Sequence, residues 1–192
     1  MQLTTFLVAA LSMGSAIAGP LVGVRAFDDV AAVLATARSD IHSELLTINV
    51  LVQQPSNAVS VTKIQNCLVN VGQSLNTILT PAVALAASAS TPLSKAQLSV
   101  LSRVARDFQG VFADVDVLGK KITGSALSRD QLIQVRPELQ WVLSTVAPVS
   151  RPILAFVDVA APGSAKDFRS VTPALVDIQA LVNLGVGVGI NV

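Results

Sequence analysis

Residues 100–124 read VLSRVARDFQGVFADVDVLGKKITG. Leu101, Val104, Phe108, Val111, Val115, Leu118 and Ile122 recur at steps of three and four. Arg103, Arg106, Asp107, Asp114, Asp116, Lys120 and Lys121 occupy the positions between. A helix of 3.6 residues per turn gathers such apolar positions into one stripe roughly 100° wide and sends the charges elsewhere. A strand would need alternation at every second residue, which this stretch lacks. It is an amphipathic helix, and what covers its stripe decides the fold.

Four other segments repeat the spacing. The first helix is expected from about residue 26 to 54, with Phe27, Val30, Leu34, Ala37, Ile41, Leu45, Ile48 and Val52 as its stripe and Asp28 and Asp29 near its positive end. Pro55 in QQPSNAVS breaks it. A second helix from about residue 59 carries Val61, Ile64, Leu68, Val71, Leu75, Ile78, Ala82 and Leu85, and Pro81 kinks or ends it. The third starts at TPLSKAQ, where Ser94 and Gln97 form a capping-box pattern, and closes on Lys120, Lys121 and Gly124. Ser128 and Gln131 repeat the capping box for the fourth, whose stripe is Leu132, Val135, Leu139, Val142, Val146, Val149, Ile153 and Phe156.

Pro137, Pro148 and Pro152 lie inside that fourth stripe. They predict a bent or split helix, with breaks at Arg136-Pro137 and Arg151-Pro152. APGSAKDF is a loop, and Ser164 or Asp167 opens a fifth helix with the stripe Phe168, Val171, Leu175, Ile178 and Val182. Residues 185–192 read as a flexible Gly/Val tail. Five amphipathic helices joined by short Pro/Gly/Ser loops make an all-α antiparallel bundle, kinked in places by proline.

Composition raises a membrane reading, since 52% of the 192 residues are hydrophobic and 13% are charged. Residues 64–94 carry no charge, but Asn66, Asn70, Gln73, Ser74, Asn76, Thr77 and Thr80 interrupt them, so no transmembrane segment is expected. The opening MQLTTFLVAALSMGSAIA has an apolar run and a small-x-small ending. It reads as a signal peptide over residues 1–18, which makes the product secreted and extracellular and leaves a domain over residues 19–184.

In a secreted chain the lone Cys67 is informative. It permits no intrachain disulfide, so stability must come from the core. Cys67 itself reads as a buried small hydrophobe, with intermolecular pairing as the alternative. A net charge of +1 without basic clusters, and 4% aromatics without Tyr, supply neither the charge nor the stacking surfaces of a nucleic-acid binder.

Catalytic constellations are equally thin. The one histidine, His42, has Asp40 and Glu44 two residues away on other helix faces, and no G-x-S-x-G elbow presents a serine. One His and one Cys cannot assemble a zinc site. GVGVG at 185–189 lacks the strand and helix that a dinucleotide loop needs. Asp114 and Asp116 diverge on their helix and read as a solvated face. The expectation is a non-enzyme without metal or cofactor.

Few large aromatics and many Val and Ala side chains on proline-bent helices favour space within the bundle for an apolar ligand. The candidate lining is Leu101, Val104, Phe108, Val111, Phe112 and Val115 of the third helix with Leu139, Val142 and Val146 of the fourth. Ordinary core packing is the competing reading of the same residues.

Four stretches carry a resemblance: AVLATARSDIHSELLTINVLV at 32–52, QQPSNAVSVTKIQ at 53–65, VLGKKITG at 117–124 and LSRDQL at 127–132. With the leader and the cysteine-poor helical domain, residues 25–184 resemble the fungal hydrophobic-surface-binding protein A family and its relatives, the cell-wall galactomannoprotein antigens. The resemblance implies a non-catalytic helical domain that binds long-chain fatty acids within its bundle or adsorbs to hydrophobic surfaces. It also implies an alternative, a loosely cell-wall-associated structural or antigenic protein acting through a partner such as a secreted esterase. A Ser/Thr-rich stalk and a C-terminal anchor signal are not recognisable, which favours free secretion.

Overall fold

The computed structural model describes residues 19–55, 59–89 and 93–169. The expected leader over 1–18, the stripe positions Val171 to Val182 and the tail over 185–192 lie outside them. Among the described residues there are five α-helices and no strand: α1 (Gly19–Val52), α2 (Val61–Ala87), α3 (Lys95–Thr123), α4 (Arg129–Ala160) and α5 (Ala165–Arg169), with a single 3₁₀ turn at Pro162–Ser164. The protein is an all-α helical bundle.

The ends of the helices follow from their local chemistry. Gln97 N–H donates to Ser94 Oγ at 3.2 Å while Ser94 N–H donates to Gln97 Oε1 at 2.9 Å. Ser128 and Gln131 do the same at 3.3 and 2.8 Å. Each reciprocal box satisfies two backbone donors that a helix start leaves open, and each cap contributes about 1 kcal/mol. Ser60 caps α2 in the simpler way, accepting from Lys63 N–H. At the far end of α3, Gly124 N–H returns to the Lys120 carbonyl at 2.9 Å, with φ at −93°. That stop therefore does not use the left-handed conformation that glycine makes available.

Two expectations are corrected by the structure. Helix α1 is already under way at Gly19, the first described residue, rather than opening near residue 26, so Asp28 and Asp29 lie inside it instead of at its positive end. Helix α4 is one uninterrupted element from Arg129 to Ala160, and the breaks expected at Pro137 and Pro152 do not occur. A proline inside a helix strands the carbonyl four residues earlier. For Pro137, Pro148 and Pro152 those carbonyls belong to Ile133, Ser144 and Pro148, all on the exposed side of α4. Pro81 of α2 likewise frees the carbonyl of exposed Thr77. Water can meet each of them, while the buried stripe from Val135 to Phe156 holds the helix together across the gaps.

Helix α1 packs against α2 and α3, α2 packs against α4, and α3 and α4 close the ring much more loosely. Side-chain links give the directions. Arg38 pairs with Asp107 at 2.8 Å and His42 with Asp114 at 3.1 Å, so α1 and α3 run parallel. Gln65 donates to the Gln134 carbonyl at 2.9 Å, and Gly72 receives the Trp141 ring further along both helices, so α2 and α4 run parallel too. Successive helices still reverse at short connections. The core is a single cluster drawn from all five helices, with Leu34, Ile41, Ile64, Leu75, Phe108 and Val142 among its solvent-free members.

The close pairs depend on two glycines. A Cβ built on Gly72 would lie 2.2 Å from Trp141 Cζ3, and one on Gly110 would lie 2.4 Å from Arg38 Nε. Gly72 is thus the notch that seats the indole, and Gly110 the floor beneath the guanidinium. Gly72→Ala is expected to destabilise the protein by about 1–3 kcal/mol through overpacking. Thermal unfolding would show a lowered Tm, and the loss should largely vanish in a Trp141→Ala background, where the ring no longer competes for the space.

Candidate apolar binding site

All nine sequence-derived lining residues are buried. Leu101, Val104, Phe108, Val111, Phe112 and Val115 lie on α3 and Leu139, Val142 and Val146 on α4, none more than 8% exposed. The structure joins them in one apolar cluster with residues of the other helices. Phe108 and Phe112 meet edge to face, with ring centroids 4.8 Å apart and planes at 72°. Phe108 also meets Phe168 of α5 at 5.5 Å. Phe168 and Phe156, which packs on Phe27 at 6.5 Å, belong to this region although they are not among the nine. Their signal is present in the stripes of the fourth and fifth helices.

Protein fills the space around Phe108, Val111 and Phe112, each of which has no solvent exposure. Two depressions lie elsewhere on the molecule. One, of about 580 Å³, is an open groove between α1 and α2 bordered by Thr36, Asp40 and Glu44 on one side and Asn70, Gln73 and Thr77 on the other. The other, of about 300 Å³, is lined by Ala35, Arg38, Ser39 and His42. None of the nine residues lines either one.

The ring is asymmetric. Three of its contacts carry polar links: Arg38–Asp107 and His42–Asp114 between α1 and α3, Asn70 donating to Glu44 at 2.8 Å between α1 and α2, and Gln65–Gln134 between α2 and α4. The described links across the α3/α4 seam run through α5. Gln109 of α3 donates to the Asp167 carbonyl, and Arg169 pairs with Asp158 of α4 at 2.8 Å. The nine lining residues therefore belong to the two neighbouring helices of the ring that are joined most loosely.

The polar residues singled out from the sequence have local roles. His42 is exposed and bonded to Asp114, not to Asp40 or Glu44. Asp114 and Asp116 do diverge, one to His42 and the other to Lys120 at 2.9 Å, but they are mostly covered rather than a solvated face. Among the described residues no group of three or more His, Cys, Asp or Glu could hold a metal ion. Cys67 is buried, and burial, then the neighbouring Glu44 carboxylate, pushes its thiol up to about 12.

No family model matches the chain, and no curated protein and no solved structure matches it.

The Cys67 environment has a measurable consequence. Alkylation by iodoacetamide at pH 8 is expected to run well over tenfold slower in the native protein than in denaturant, because the thiolate is the nucleophile. A thiol raised when folded favours folding in its protonated form. Its contribution is complete below its ordinary value of 9.0 and is lost as pH climbs towards about 12. Denaturant unfolding of wild type and Cys67→Ala across that alkaline range should show the difference between them shrinking as pH rises.

Proposed function

We propose that this is a secreted, non-enzymatic protein that binds long-chain apolar ligands, fatty acids foremost, by admitting the acyl chain between α3 and α4. The observation that supports the reading is the pairing of loose contact with apolar lining at one seam. Ion pairs hold α1 to α3, the Asn70–Glu44 hydrogen bond holds α1 to α2, and a seated indole with the Gln65 bond holds α2 to α4. Among the described residues the stripes of α3 and α4 meet through apolar, non-directional contacts, which an acyl chain can replace in kind. Each buried CH₂ contributes about 0.8 kcal/mol, so a long chain can offset the cost of parting two helices.

The sequence resemblance to the hydrophobic-surface-binding protein A family points the same way and supplies the extracellular setting. The second reading is adsorption to a hydrophobic surface, which the same seam would serve by opening outwards. Leu46, Val50 and Val117 favour it as apolar side chains already exposed on α1 and α3. Loose cell-wall association and partnership with a secreted esterase belong to this second reading.

Native mass spectrometry of the delipidated full chain with added palmitate tests the first. One acyl adduct per chain is expected. Val142→Trp, which plugs the seam, should weaken the adduct about tenfold or more, a loss of about 1.4 kcal/mol, with helicity by circular dichroism unchanged. An unliganded chain at saturating palmitate would overturn the carrier reading, and retained adsorption to hydrophobic polymer beads would then favour the surface.

A further inference from the structure

Helices α1 and α3 lie side by side, and their shared outward arc joins apolar to basic side chains. The partners in the Arg38–Asp107 and His42–Asp114 pairs are 69 and 72 residues apart, so each α1 residue stands level with an α3 residue about 70 further on. Leu46 and Val50 therefore stand level with Val117 and Lys121. At 100° per residue, Leu46 and Val50 fall on the outward side of α1 next to His42. Val117 and Lys121 fall on the side of α3 that carries Gly110, the residue under Arg38. Leu46, Val50 and Val117 are 55%, 61% and 39% exposed, so water covers about half of each.

At its surface this arc is basic. Arg38 and His42 are 40% and 57% exposed, whereas their partners Asp107 and Asp114 are 14% and 18% exposed. Arg106 and Lys121 of α3 are exposed on the same arc. Of the nearby described carboxylates, Asp40 and Glu44 line the α1/α2 groove, and Asp116 pairs with Lys120 on the flank of α3 away from α1. The depression of about 300 Å³ lined by Ala35, Arg38, Ser39 and His42 belongs to this arc. The ion pairs engage Arg38 Nη1 and His42 Nδ1. A guanidinium and an imidazole each carry a further nitrogen, and Ser39 a hydroxyl, with which to meet an oxyanion.

We propose that this α1/α3 face docks on an anionic phospholipid surface, with Leu46, Val50 and Val117 entering the acyl boundary and phosphate oxygens meeting Arg38, His42 and Lys121. Such a surface satisfies both halves of the face, because its headgroups take the cations while its tails cover the apolar side chains. A neutral hydrophobic solid would leave the basic rim unused. A second copy, in a two-fold contact, would set the rim against its own cations. The face serves as it stands, without parting α3 from α4. The proposal rests on the surface-binding reading above and adds to it the face and the sign of the surface.

The full chain is pelleted with sucrose-loaded vesicles of phosphatidylcholine alone or mixed equally with phosphatidylglycerol, and separately with neutral polymer beads. Binding to the mixed vesicles is expected to be about tenfold tighter than to phosphatidylcholine, and to weaken as salt rises. Leu46→Gln with Lys121→Gln should weaken it about tenfold, whereas Ile133→Gln with Arg151→Gln on the outer side of α4 should leave it unchanged. Circular dichroism checks that each variant folds. The unaltered chain covers any that does not, since emission from Trp141 on α4 should keep its wavelength when vesicles bind. Equal binding to both vesicles, equal loss in both variant pairs, or a blue shift of Trp141 would each overturn the proposal. Adsorption to beads but not to mixed vesicles would overturn it and leave the surface-binding reading standing, and adsorption to neither would sink both. A lipid-free dimer abolished by Leu46→Gln would overturn it by making a second copy the occupant.

Discussion

A long helix with apolar side chains along one side persists in water only when that side is covered, and here no disulfide shares the task. Each of the four long helices contributes a stripe at helical period, and the stability of the whole rests on bringing those stripes together. This constraint explains why the prolines of α2 and α4 are tolerated. A missing backbone bond on the exposed side costs little when the buried side of the same helix is held by tertiary packing. It also accounts for Cys67, a thiol recruited into the core whose burial pushes its ionisation up to about 12.

Covering the stripes does not require every neighbour to pack equally well. The polar links fall between α1 and α3, α1 and α2, and α2 and α4, where Arg38 lies over Gly110 and Trp141 sits on Gly72. These are directional contacts with one good geometry. The seam between α3 and α4 is instead apolar and loosely drawn together. Hydrophobic contacts tolerate substitution of one apolar neighbour by another far better than ion pairs tolerate separation. A bundle built this way has three fixed joints and one compliant one.

Most of the fold was legible in residues because helical periodicity and capping chemistry are local. The Ser94–Gln97 and Ser128–Gln131 boxes form where the sequence places them, and the stripe positions are buried almost one for one. What was not legible depended on the relation between helices. Whether Pro137 breaks α4 turns on which side of the helix meets water. Asp114 finds His42, 72 residues earlier in the chain, and no local pattern announces that pairing. The candidate site was half legible: the nine residues share a core, but periodicity cannot tell a stripe that meets a sibling from one that meets a guest. Phe168 escaped the lining because its place beside Phe108 depends on a chain reversal after Ala160.

The compliant seam also bears on how a ligand could be held at all. An empty apolar slot wide enough for an acyl chain would sacrifice contacts throughout the core, at about 24 cal/mol per Å³ of void. The stripes of α3 and α4 avoid that loss, because Phe108, Val111, Phe112 and Val142 are already fully buried. Under the function proposed above, an acyl chain would replace apolar neighbours already in contact, so its net gain would be smaller than its full transfer from water. Helix α5 touches both α3 and α4. The Arg169–Asp158 pair, exposed on both sides, and the Gln109 bond to the Asp167 carbonyl are the described ties at that point. An exposed ion pair contributes only a few tenths of a kcal/mol to about 1 kcal/mol, so the buried Phe168 ring on Phe108 supplies the apolar part of the hold on α5.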